Sequence, residues 1–167
     1  VHCNAWLQEE GWLSYDTPDH ENLSDVDSST KAFSLIPGRF YINLEDREAN
    51  GGVPADDYEP TRAELEEKLL AWEGPEGNPV VERVVTKEDA FRGDHDDIAP
   101  DLVAIPNHGF DLKAGFKPSD AVFDDGPRNG MHSFDNTSLF IDTDNAKIKN
   151  TDLYDIAPTI LSLMEID

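Results

Sequence analysis

Apolar positions in this chain come in short clusters separated by long acidic stretches, and the spacing inside each cluster predicts an element. Trp6 and Leu7 mark one side of a short helix over residues 4–10, which Gly11 ends, and Trp12-Leu13 continues in extended form. Residues 16–30 are polar and acidic and read as an exposed loop. Residues 31–35 and 39–44 read as two strands joined by a Pro37-Gly38 turn. Residues 45–59 form a charged loop containing Gly51-Gly52, and a loop this long inside a compact domain is more often functional or flexible than idle. The clearest helix follows. Thr61 is its expected N-cap and Glu64 completes a capping box, because a Thr hydroxyl and a carboxylate three residues on satisfy each other's free backbone N–H. Leu65, Leu69 and Trp72 recur on one face of that helix, and Gly74-Pro75 stops it.

The second half continues the alternation. Residues 79–85 are β-rich, residues 86–91 suit a short helix, and residues 100–106 are an apolar run bracketed by prolines, the pattern of a buried strand. Residues 114–128 are irregular. Residues 138–141 read as a further strand, followed by an acidic turn over 142–145. In the last helix Asp155 is the expected cap and Pro158 sits in the first turn, where its missing N–H costs nothing. Ile156, Ile160, Leu163 and Met164 should make its core face. Strands alternating with helices favour an α/β sandwich with a mainly parallel sheet.

Charge alters this picture more than composition does. The 167 residues suit one domain or a large piece of one, and the 38% apolar content is low. The formal net charge is −23, with the acid spread along the whole chain. Polyanions are repelled by such a surface, so neither a nucleic-acid polymer nor an anionic membrane is an expected partner. No stretch approaches the roughly 20 apolar residues of a membrane span. Cys3 stands alone, so no internal disulfide forms, and a reducing cytoplasm is expected, one that accumulates salt and thereby screens the charge. The start, Val1-His2-Cys3-Asn4, is neither a Met start nor a signal peptide and reads as mid-chain sequence.

The residues alone leave the chemistry open. Gly130-Met131-His132-Ser133-Phe134-Asp135-Asn136 sets one imidazole after a turn-forming Gly, with a carboxylate and an amide three and four residues on. A lone loop His is more often structural than a metal ligand, and zinc needs three or four converging groups. His2, His20, His95 and His108 are scattered. His95 lies in an acidic run that reads as a solvated cluster or a cation site. His108 and Asp111 follow the buried strand, where open α/β sheets place functional groups, and with Arg47 they are candidate cleft residues. No Gly-x-Ser-x-Gly and no phosphate loop is present.

Several stretches taken together resemble the alkaline phosphatase superfamily, in its type I phosphodiesterase/nucleotide pyrophosphatase-like branch. Asn4-Ala5-Trp6-Leu7 with Gly11-Trp12-Leu13 is similar to the branch's N-x-W-L … G-Y-L segment. Gly38-Arg39-Phe40-Tyr41-Ile42-Asn43-Leu44 with Arg47-Glu48 and Gly52-Val53 resembles G-R-I-Y-I-N-L-x-G-R-E-x-x-G-x-V. Pro100-Asp101-Leu102 with Gly109-Phe110-Asp111 resembles P-D-L … G-Y-D. Gly130 to Asn136 resembles G-x-H-x-x-D-N/G, and Asp155-Ile156-Ala157-Pro158-Thr159-Ile160-Leu161 resembles the closing D-I-A-P-T-I-L. The matches run in family order.

The resemblance implies an alkaline phosphatase-like α/β sandwich whose mainly parallel sheet is flanked by helices. It implies a hydrolase of small phosphate esters with two divalent metals, usually zinc, with manganese or iron as alternatives, and a Thr or Ser nucleophile. His132 maps onto a metal ligand, and Asp135 and Asn136 onto supporting groups that orient it. The nucleophile and the other ligands have no counterpart here. Residues 1–167 are therefore expected to be the C-terminal portion of one domain, with a cap-like insertion over about 36–100. Its partner would be the remainder of that domain, N-terminal to residue 1. Alone, the chain is expected to be inactive and need hold no metal. The alternatives are a non-catalytic acidic module that keeps the fold, and another hydrolase or mutase of the superfamily. Asp46 stands where the branch often has Gly, and Ser133 where some members do.

Overall fold

The computed structural model describes residues 1–93, 96–126, 130, 138–140, 142 and 152–166. It comprises two units, Val1–His132 and Ser133–Asp167. In the first, helix α1 (Cys3–Glu9) precedes strands β1 (Ala32–Ile36) and β2 (Arg39–Ile42). Helix α2 (Tyr58–Leu70), strand β3 (Val81–Thr86), the single turn α3 (Lys87–Ala90) and strand β4 (Leu102–Pro106) follow.

The four strands form one sheet in the order β1-β2-β4-β3, and every neighbouring pair is antiparallel. This corrects the expectation of a mainly parallel sheet. The expected strand–helix–strand unit does exist: α2 carries the chain from β2 to β3, and these two strands run the same way. Strand β4 lies between them and runs the opposite way, so β2 and β3 do not pair in parallel with each other. Strands β1 and β2 are antiparallel for a simpler reason, since a two-residue turn cannot bring a chain back in parallel. That turn needs glycine. Gly38 has φ +68°, and a Cβ there would stand 2.8 Å from the Ala104 carbonyl oxygen. The same close approach lets the Gly38 carbonyl accept a 2.8 Å hydrogen bond from Ala104 N–H, which fastens the turn to β4.

The core lies between this sheet and the helices. Phe33, Phe40, Ile42 and Leu102 from the strands are fully buried, as are Leu7 of α1 and Leu65 and Leu69 of α2. Burying each such side chain contributes about 1.5–3 kcal/mol. Trp6 and Trp72 stack at 4.3 Å between ring centroids, joining α1 to the end of α2. Helix α1 also closes the sheet's β1 edge. The Asn4 side-chain carbonyl accepts from Ser34 N–H at 2.7 Å, and its amide donates to the carbonyls of Ser34 and Gly115, each at 2.9 Å. One amide side chain thus occupies backbone groups that an open edge would leave free to pair with another chain.

Helix α2 begins at Tyr58, three residues before the expected cap, and its N-cap Asp57 makes no side-chain cap bond. Thr61 therefore lies inside the helix and the expected capping box does not form. Pro60 is accommodated in the first turn, and Tyr58 is held from outside the helix by a hydrogen bond to Asp101.

In the second unit, Asp152 and Asp155 cap each other across a 3₁₀ turn, Leu153–Asp155, and helix α4 (Ile156–Leu163) follows. The expected strand over 138–141 is not borne out at its described positions. Ser138, Leu139 and Phe140 are exposed and belong to no strand, and Ile141 lies outside the described residues. Ile156, Ile160, Leu163 and Met164, expected as a core face, are exposed.

Candidate functional site

The loop between β2 and α2 is held as a fixed strap. Asn43 is buried at the end of β2, and its side-chain amide donates to the carbonyls of Thr30 at 3.1 Å and Asn50 at 2.8 Å. Asn50 in turn donates to the Val26 carbonyl at 2.9 Å. The Asn43 backbone carbonyl accepts from both Gly52 and Val53 N–H. Gly52 is required by contact, because a Cβ there would stand 1.7 Å from the Ser28 carbonyl oxygen.

Under this strap lies a polar centre built on Asp101, which is fully buried immediately before β4. Its Oδ2 accepts from Ile42 N–H at 2.7 Å and from Arg47 Nη2 at 2.7 Å. Its Oδ1 accepts from Arg47 Nη1 at 2.8 Å and from the Tyr58 hydroxyl at 2.7 Å. Arg47 also donates through Nε to Glu48 at 2.8 Å and through Nη2 to the Ile42 carbonyl at 2.6 Å. Burial works against the Arg47 charge, but the hydrogen bonds and charge of Asp101, with those of Glu48, outweigh it and hold the guanidinium above its ordinary pKa. Burial, and then the hydrogen bond to Asp101, push the Tyr58 phenol upward. A buried carboxylate with four donors is fully satisfied, so this centre is a fastening and has no free lone pair aimed at a ligand.

The outer face of the strap is an open depression lined by Glu45, Asp46, Arg47, Glu48, Ala49 and Gly51. Its single base is already committed to Asp101 and Glu48. What remains is a rim of carboxylates, which repels a phosphate ester and attracts cations.

The candidate cleft residues fall at opposite ends of β4. Arg47 reaches the carboxylate just before the strand, whereas His108 and Asp111 lie in the exposed turn after it. Five residues at about 3.3 Å each put roughly 17 Å between those ends, so the structure does not bring Arg47 together with His108 and Asp111. The Asp111 backbone carbonyl accepts from the Val1 backbone nitrogen at 2.8 Å, which clips residue 1 onto this turn. The other histidines make local contacts. His20 is buried, stacked on Tyr15, and its Nδ1–H donates to the Phe116 carbonyl. His2 Nε2 stands 3.2 Å from Asp124.

His132, Asp135 and Asn136 lie outside the described residues, as does His95. Among the described residues no group of three or more His, Cys, Asp or Glu is placed to hold a metal. The described donor set therefore does not by itself fit a two-metal centre. Nor is any described helix long and apolar enough to cross a membrane.

Sequence reasoning overlooked Asp101 as an organising residue. The available signal was an acidic residue at the mouth of an otherwise apolar run, since a carboxylate buried there has to be met by a base.

The sequence profile of the family described as Type I phosphodiesterase / nucleotide pyrophosphatase matches residues 1–135 of this chain. No curated protein and no solved structure matches it.

Proposed function

The chain belongs to the type I phosphodiesterase / nucleotide pyrophosphatase family, and on that premise we propose that it is the C-terminal part of a metal-dependent hydrolase of small phosphate esters. The match over residues 1–135 carries the family and its hydrolase chemistry, and the order of the motif resemblances along the chain supports the C-terminal placement. The family is generally metal-dependent. In this reading His132 is one metal ligand, with Asp135 and Asn136 orienting its loop, and zinc is the metal, with manganese or iron as alternatives. The other ligands and the nucleophile come from outside the described residues. Residues 36–100 form the cap-like part of the domain. The Arg47–Asp101 bond and the Trp72–Trp6 stack tie this part to residues outside it.

The test uses the full-length protein that contains this chain. Bis(p-nitrophenyl) phosphate should be turned over faster than p-nitrophenyl phosphate or p-nitrophenyl sulfate. A chelator should abolish that activity, and zinc should restore it. Preference for the sulfate ester would move the protein to another reaction of the superfamily. Failure on all three esters with metal present would favour a non-catalytic acidic module. The ligand assignment is separate: His132→Ala should lower bound metal and turnover together, and unchanged metal content would remove His132 from the site.

A further inference from the structure

We infer that the folded state of this chain is gated by ionic strength, compact in concentrated monovalent salt and loosened in dilute buffer. The chain has 13 Lys and Arg against 36 Asp and Glu, so many of its carboxylates have no base to meet even where a base is shared. The structure shows how the bases are used. Arg47 is shared by Glu48 and Asp101, and Arg62 by Glu59 and Glu88. Lys68 meets Glu10, Lys113 meets Asp124, and Lys31 and Lys117 stand 3.9 and 3.4 Å from Glu64 and Glu21. Acid is left over on the same surfaces. Glu67, Glu73, Glu76 and Glu82 are exposed and enter no ion pair among the described residues. The antiparallel Tyr15–Val26 bridge sets Asp16 opposite Asp25, with Asp27 beside them, so three carboxylates are gathered at one place.

Added salt weakens attraction and repulsion alike, so the sign of its effect depends on which is more numerous and more exposed. The attractive pairs are few. The best formed of them, Arg47 on Asp101, has one fully buried partner and is poorly screened. The repulsive set is larger and lies in solvent, where the Debye length falls from about 10 Å at 0.1 M to about 3 Å at 1 M. Screening therefore removes more repulsion than attraction, and the compact state gains.

The experiment is thermal unfolding of the chain followed by tryptophan fluorescence, since Trp6, Trp12 and Trp72 are all buried. Between about 0.05 and about 2 M KCl the midpoint should rise by about 10 °C or more, and NaCl should act equally. A variant carrying Glu67→Lys, Glu73→Lys, Glu76→Lys and Glu82→Lys should melt higher in dilute buffer and show a flatter salt response. Equal midpoints in dilute and molar salt would overturn the inference, as would an unchanged salt slope in the variant. Saturation at millimolar concentrations of one cation alone would also overturn it, by pointing to a discrete cation site.

Discussion

Arg47 holds the buried carboxylate of Asp101 through two parallel hydrogen bonds, Nη1 to Oδ1 at 2.8 Å and Nη2 to Oδ2 at 2.7 Å. Around that pair the Ile42 amide and the Tyr58 hydroxyl complete the carboxylate's partners, so four chain segments meet at one side chain. Removing one member of a buried pair strands the other. Asp101→Ala or Arg47→Ala should therefore each cost about 3–5 kcal/mol, whereas Tyr58→Phe should cost about 1 kcal/mol. Urea unfolding in molar KCl measures all three. The Asp101→Ala/Arg47→Ala double variant should lose far less than the sum of the singles. Strict additivity would show that the pair is not coupled.

Two glycines distinguish close approach from simple flexibility. At Gly52 a methyl group would overlap the Ser28 carbonyl oxygen, and the strap would have to lift. At Gly115 nothing lies within 4 Å of the same methyl. Gly52→Ala should destabilise by about 2 kcal/mol or more, and Gly115→Ala should stay within about 0.5 kcal/mol of the parent. Chemical denaturation gives both values, and a neutral Gly52→Ala would mean the strap is looser than its hydrogen bonds imply.

Asp124 predicts an acid-range effect. Its hydrogen bond to Lys113, followed by that to His2, lowers its pKa to about 2. A carboxyl depressed on folding contributes stability that is complete above its ordinary value near 4, declines as pH falls and is gone below about 2. Carbon-detected NMR titration should place the Asp124 midpoint near 2, and Lys113→Ala should move it toward the ordinary range. An unmoved midpoint would assign the depression to some other neighbour.

Much of the fold was legible because local chemistry repeats locally. The Pro37-Gly38 turn, the helix carrying Leu65 and Leu69, and the buried run before Pro106 are patterns within a few residues, and each became the expected element, although the helix ends at Leu70 and leaves Trp72 beyond it. Errors arose wherever a distant residue set the outcome. Thr61 has good capping chemistry, but Tyr58 is anchored on a carboxylate 43 positions away and draws the helix start forward. The leucines and isoleucines of α4 have helical spacing, but spacing fixes which residues share a helix face and not whether that face is buried. Asp101 looked like the flank of a strand, and only folding brings Arg47, Ile42 and Tyr58 to it.

The sequence by itself determined most of the element types, the family to which the chain belongs, and the excess of acid. Tertiary structure alone decided the direction of the sheet. Helical crossovers usually join parallel neighbours, and nothing within residues 39–86 announces that a later strand will enter between them. That choice belongs to β4, whose apolar side chains are buried on the sheet when it pairs with β2 on one side and β3 on the other. The same insertion carries Asp101 beneath the strap, so one long-range pairing fixes both the antiparallel sheet and the polar centre that holds the loop.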